Sequence, residues 1–375
     1  RNADIARSCP AVLRVSAQRA FRSGYGEMMH NTWALAVILL LAGCGNVSYY
    51  LQSVGGQFEI WRREVPIERL LEDPALAPAL KAQLQRALRI RDFASRELGL
   101  PDNRSYRSYA DLARPFVVWN VFAAAEFSVE PQQWCFPVAG CVNYRGYFDE
   151  AEARAYARSR AAEGDDVYIG GVPAYSTLGW FDDPVLNTFI HYPEPVLARL
   201  LFHELAHQVV YVKDDTVFNE SFATVVEQAG VARWFAVQDN TAERERYAQL
   251  QRYSADFRKM VTQARQELAA LYASNLPSEQ KRRLKAETFA ALKRQHLYRK
   301  LDWGGFEGYD RWFAQPLGNA HLASVAIYTQ QVPAFQALLA SVGDDLPRFY
   351  AAVRELAALP AAERKARLAA LASSQ

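Results

Sequence analysis

The segment Leu201-Phe202-His203-Glu204-Leu205-Ala206-His207-Gln208, followed by Phe218-Asn219-Glu220-Ser221-Phe222-Ala223, decides how the rest of this chain is read. On a helix, residues four apart share a face, so His203 and His207 can offer two imidazoles to one metal ion with Glu204 beside them. The run before them, Val196, Leu197, Leu200 and Leu201 behind Pro193 and Pro195, predicts a largely buried helix, where unpartnered His and Glu would be costly. The donor set suits Zn2+, and a catalytic zinc needs three protein ligands and one open position. Glu220 is the expected third ligand. The tract Lys213-Asp214-Asp215-Thr216 supplies a break and an N-cap, which puts Glu220 in the first turns of a second helix. Thr224 and Glu227 share its face, and Glu227 stays open as an alternative ligand or as the carboxylate that orients a zinc-bound histidine.

These two runs, with Tyr49-Tyr50-Leu51-Gln52-Ser53-Val54-Gly55-Gly56-Gln57 behind Cys44, resemble the bacterial family of predicted zinc aminopeptidases, lipoproteins within the gluzincin group of H-E-x-x-H metallopeptidases. The likeness runs from about Cys44 onward. It implies peptide hydrolysis at zinc. Gluzincins such as thermolysin often carry Asp four residues after the ligand carboxylate, where this chain has Thr224, so Glu227 is the nearest substitute. The G-A-M-E-N element by which one large aminopeptidase family binds the substrate amine is absent, leaving Asp182 and Asp183 as candidates for that role.

The chain has 375 residues, half of them hydrophobic, and a formal net charge of +2. That balance describes a globular protein without a nucleic-acid footprint. Residues 1–43 read as an upstream segment and a lipoprotein signal peptide, with Met28 and Met29 as alternative starts. The apolar run Ala34 to Leu41 is too short to span a bilayer and closes on Leu41-Ala42-Gly43-Cys44, which resembles a lipobox. Acylation of Cys44 would tether the chain to a membrane, and Gly45, where Asp would retain a lipoprotein in the inner membrane, points to the outer membrane facing the periplasm. Cys135 and Cys141 flank Pro137 and Gly140, as a short disulfide loop in an oxidising compartment would; two free thiols are the alternative.

The expected fold is α+β: a predominantly helical, zincin-like metallopeptidase with a small sheet whose edge strand borders the zinc helix. Residues 44–240 form the catalytic region, beginning with a polar tether to about Gly56. Apolar residues at helical spacing from Leu70 to Ile90 predict helix broken at Asp73-Pro74, whereas the aromatic and β-branched runs 116–122 and 142–148 predict strands. Asp166 to Trp180 reads as a strand pair or extended edge that could hold a peptide by main-chain hydrogen bonds. Residues 241–300 form a charged helical hairpin, and 301–375 complete the catalytic domain.

Glu204 is expected to activate water at the open zinc position, and either His321 or Tyr328, seven residues apart, to stabilise the oxyanion. The resulting reading is a zinc-dependent aminopeptidase of the bacterial cell envelope acting on peptides. An envelope endopeptidase, a peptidoglycan amidase and a lipid-anchored scaffold with a structural or inactive metal site are the alternatives.

Overall fold

The computed structural model describes residues 49–136, 140–174, 176–238, 241–328 and 330–373. The upstream segment, the apolar run before Cys44 and Cys44 itself lie outside them. The chain divides into two units, 1–55 and 56–375. Of the first, residues 49–55 are described and are helical, which corrects the expected tether there: Leu, Gln and Ser tolerate the helix, and the Ser53 hydroxyl donates to the Tyr49 carbonyl one turn back.

The second unit opens with helical residues 56–63 (α1). Strand β1 (Val65–Pro66), α2 (Ile67–Glu72) and α3 (Pro78–Arg96) follow, with the helix break where Asp73-Pro74 predicts it. Next come β2 (Ser108–Ala110), β3 (Val118–Ala124), β4 (Trp134–Phe136), β5 (Gly140–Val142), β6 (Arg145–Tyr147), α4 (Glu150–Ala162), β7 (Asp166–Val172) and β8 (Val185–Leu186). Of the candidate metal ligands, His203 lies on α5 (Glu194–Ala206), His207 directly follows it, and Glu220 lies on α6 (Thr216–Val237). The remainder is helical: α7 (Thr241–Ala273), α8 (Ser278–Asp302), α9 (Asp310–Phe313), α10 (Asn319–Ile327), α11 (Val332–Ser341), α12 (Leu346–Ala358) and α13 (Ala361–Ala372).

The described residues are therefore mostly helical with small sheets, as an α+β fold requires. The sheets are three: β1-β2-β8, the antiparallel β6-β3-β7, and the hairpin β4-β5. Strand β3 is buried at every residue because α4 and α10 pack on it, so its sequence is continuously apolar but for Asn120. The run 166–180 is one strand, not two. It ends at Val172, before Pro173, which has no N–H to donate, and β7 pairs only with β3, at an edge of its sheet. The β4-β5 hairpin carries a Cys135–Cys141 disulfide. It is fastened to the segment between α5 and α6 by the Cys141 N–H, which donates to Asp214. Gly140 has φ +75°, and a β-carbon there would fall 2.3 Å from Asp214 Oδ1, so this contact requires glycine.

Three features fix α5 against α6. Gly230 of α6 faces Phe202 of α5 and Leu98 so closely that a β-carbon would sit 2.7 and 2.8 Å from their side chains. The Asn219 amide pairs with both the N–H and the carbonyl of Val212, each at 2.8 Å, and so ties the connecting segment to α6. Asp215 caps α6 by accepting from the Phe218 N–H, while its other oxygen receives Arg364 of α13. The C-terminal end of α5 is anchored separately. The fully buried Arg91 guanidinium donates to the carbonyls of Pro101, Asn103 and Ser105, and that loop holds Gln208 through Asn103 and the Ser105 hydroxyl.

Two main apolar clusters result. The larger one joins α3, α5, α6 and α11 to α13, with Phe202, Phe222, Phe335 and Phe349 among its residues. The smaller lies within the charged hairpin of α7 and α8, where Phe257, Met260, Leu268, Phe289 and Leu292 meet Trp303 and Phe313. Two of the hairpin's cations face carboxylates of the sheet region: Arg282 pairs with Glu126 and Lys285 with Asp166.

Gly230→Ala is expected to destabilise the protein by about 1–3 kcal/mol, because overpacking outweighs the gain of about 1 kcal/mol in helix propensity. Urea unfolding of the two proteins checks it.

Candidate metal centre

Pro195 in its first turn starts α5, and the H-E-x-x-H residues fall in its last turns, with His207 at the C-cap. The one-helix spacing brings the rings together: His203 Nε2 and His207 Nε2 are 3.2 Å apart. From α6, Glu220 Oε2 lies 3.1 Å from His203 Nε2 and 3.7 Å from His207 Nε2. The ligand atoms of His203, His207 and Glu220 all fall within 4.8 Å of one another, so the cluster can hold a metal ion. Atoms bound to a tetrahedral zinc at roughly 2.0–2.1 Å would be about 3.3 Å apart, and the observed separations bracket that value.

Glu227, two turns further along α6, reaches the other side of the same ring: its Oε2 is 3.0 Å from His203 Nδ1. With Nδ1 facing Glu227, Nε2 is left to face Glu220 and His207, the group of atoms that could hold a metal ion. The second oxygen of Glu227 pairs with Arg199 at 3.4 Å. Arg199 is four residues before His203 on the same face of α5, a spacing that could have marked it in the sequence. Thr224 takes no part in orienting a histidine; its hydroxyl faces the Tyr328 carbonyl at 3.4 Å.

Burial sets the protonation of the group. It opposes charge on His203, but Glu220 and Glu227 outweigh it and hold that ring well above its ordinary value. His207 has only partial compensation, and burial lowers it to about 4; its Nδ1 is buried without a hydrogen-bond partner. Burial would also raise Glu220 and Glu227, yet His207 and His203 bring Glu220, and Arg199 and His203 bring Glu227, below the usual carboxylate range. Glu204 is different. Burial pushes it up to about 8, with His203 opposing and Glu220, Asp183 and Glu227 adding repulsion. A neutral His207 beside the ionised Glu220 and Glu227 is a donor set that could hold a divalent cation, whose charge would draw Glu204 back toward ionisation.

Tyr328, at the C-cap of α10, is raised well above its ordinary value by burial and then by Glu220, Tyr144, Glu204 and Tyr168, which places its phenol in the field of the cluster. His321 occupies another position. Its ring packs 4.3 Å from Tyr168, its Nδ1 accepts the Gly318 N–H, and Lys293 is the charge that acts on it. Asp183 is buried, with Oδ2 accepting from the Thr177 N–H and a carboxyl raised to about 7 by burial. Asp182 is more exposed and lies 3.7 Å from Arg104. The aromatic neighbours Tyr144 and Tyr168 carried no recognisable signal in the sequence, because sheet pairing and α10 bring them in.

Two histidines and a carboxylate recessed between paired helices, with a further glutamate beside them, form a cluster that could hold a metal ion on a mostly helical α+β scaffold. The chain belongs to the family described as putative aminopeptidase, whose profile matches residues 48–368 and so takes in every member of the cluster. No curated protein and no solved structure gives a significant match.

Glu227→Gln keeps the side chain's volume and removes its charge. It is expected to weaken metal affinity about 10–100-fold, measured by competition with a chromophoric chelator, while leaving helix content by circular dichroism unchanged.

Proposed function

We propose that the chain is a zinc metallopeptidase of gluzincin type acting as an aminopeptidase in the bacterial cell envelope, tethered to the outer membrane through acylated Cys44. The observation that carries this reading is the convergence of His203 Nε2, His207 Nε2 and Glu220 Oε2 at tetrahedral spacing, with Glu204 unspent beside them. Membership of the family supports peptide-bond hydrolysis and the exopeptidase sense. Two imidazoles and one carboxylate form a ligand set that zinc favours, and three protein ligands leave a position open.

Zinc held there supplies Lewis acidity, which polarises the scissile carbonyl and acidifies water. Glu204 takes a proton from the attacking water as its oxygen bonds to the carbonyl carbon, and returns that proton to the nitrogen as the C–N bond breaks. The Tyr328 hydroxyl, kept protonated by burial and neighbouring carboxylates, donates to the oxygen that gains charge. His321, held against Tyr168, serves as packing behind it. Glu227 and Arg199 orient His203. The outer edge of β7 is the place on the sheet where a peptide could add as a further strand.

Glu204→Gln should retain one zinc per chain and lose activity by about 10²–10⁴-fold, whereas His203→Ala should lose both. Digestion of a mixed peptide library, read by mass spectrometry beside zinc analysis, tests the reading: one-residue shortening from N-termini is expected. Internal cuts would replace it with an endopeptidase, and full turnover in Glu204→Gln would refute the role of Glu204. Tyr328→Phe is expected to lower kcat about 10²–10³-fold with zinc content unchanged; an unaltered kcat would remove Tyr328 from the mechanism.

A further inference from the structure

We propose that the face formed by Phe58 and Trp61 of α1 with Trp180 and Phe181 docks onto the headgroup region of a lipid bilayer. These four aromatic residues are exposed by 61, 41, 73 and 47 %, and Trp61 meets Phe181 edge to face with ring centroids 4.8 Å apart, so they form one patch from two distant parts of the chain. Single exposed apolar residues are ordinary; adjoining exposed aromatics that include two tryptophans are not. Tryptophan carries an apolar body and an indole N–H, which suits it to the boundary between acyl chains and water.

Two further observations select a membrane as the occupant. Phe58, Trp61 and Arg62 are at i, i+3 and i+4, so an exposed cation shares the aromatic face of α1. Arg104, whose side chain is largely exposed, stands beside Asp182, next to Phe181. Cations flanking exposed aromatics complement anionic headgroups. The second observation is in the chain itself. Only thirteen residues lie between Cys44 and Phe58, and even fully extended the fourteen steps reach about 50 Å. An anchor at Cys44 would therefore keep this face near the bilayer. An anchor of several acyl chains makes the attachment stable, and the aromatic face would fix how the tethered domain lies on the surface.

Docking there would also set where the metal centre works. The loop bearing Trp180 and Phe181 is pinned by the Thr177 N–H to Asp183, and Gly179 lies against Gln208, the neighbour of His207. The cluster would then act on peptide termini held close to the membrane. The proposal rests on the envelope location given above, and its test reads the two separately.

The full-length protein, carrying Trp33→Phe so that the segment around the apolar run 34–41 adds no indole of its own, is reconstituted in phosphatidylcholine–phosphatidylglycerol vesicles whose acyl chains are plain or brominated, and mass spectrometry of its N-terminal fragment reports whether Cys44 is acylated. Bromine quenches only tryptophans that reach the acyl region. Emission is expected to fall in brominated vesicles, and the fall to vanish in a Trp61→Phe/Trp180→Phe variant. A Phe58→Glu/Phe181→Glu variant, which keeps both indoles, should also lose the quenching while retaining its zinc. Equal emission from the Trp33→Phe protein in the two kinds of vesicle would overturn the proposal, as would quenching that survives the double tryptophan replacement. The same result would follow if residues 1–48 or a protein partner covered the patch. A Cys44 found without acyl groups would instead remove the anchor, and the quenching would still decide the face.

Discussion

The convergence of two imidazoles and two glutamates between α5 and α6 is the arrangement on which the rest of the protein depends. Apart from Arg199, the groups that compensate one another there are members of the cluster itself. Charged and polar groups placed so far from water are tolerated only while their partners stay within hydrogen-bonding reach. A small shift of α6 along α5 would leave carboxylates without partners. The close approach at Gly230, the amide clamp of Asn219 and the cap at Asp215 all oppose such a shift. The most expensive interactions in the structure are thus guarded by some of its least reactive residues.

Much of this was legible in the sequence because it is local. The i, i+4 spacing of His203 and His207 places both rings on one face of any helix, and the apolar residues around them make that helix buried. Asp215 and Thr216 mark the start of α6, so the reach of Glu220 followed from counting turns. What could not be read is what depends on distant pairing. Tyr328 and His321 sit on one short helix with equal claims by spacing, and they part only because α10 packs on β3, placing the phenol near Glu204 and Glu220 and the imidazole against Tyr168. Glu227 was ambiguous for a related reason: one face of α6 carries both glutamates, and which ring nitrogen each meets is decided by how the helices cross.

The ambiguities and errors have physical causes as well. The stretch 166–180 fits a strand pair or an extended edge equally well by sequence, and the edge is what forms: β7 ends at Val172 before Pro173, and the loop beyond it closes on Asp183. Residues 49–55 carry few strongly helical signals, yet they are helical. The buried Arg91 would pass for a surface residue of an amphipathic helix; its carbonyl partners come from the loop 101–105, which no periodicity announces.

The joining of the two apolar clusters through α7 and α10 governs how a bound ion would influence the whole. A ligand stabilises the cooperative unit that contains its site, in proportion to the logarithm of its free concentration. The larger cluster encloses α5 and α6 and would feel that stabilisation directly; Tyr247 of α7 packs against it, and the smaller cluster reaches α10 through Leu322. Both clusters belong to one compact unit, residues 56–375, so scarcity of a metal held between α5 and α6 would lower the stability of that unit as a whole.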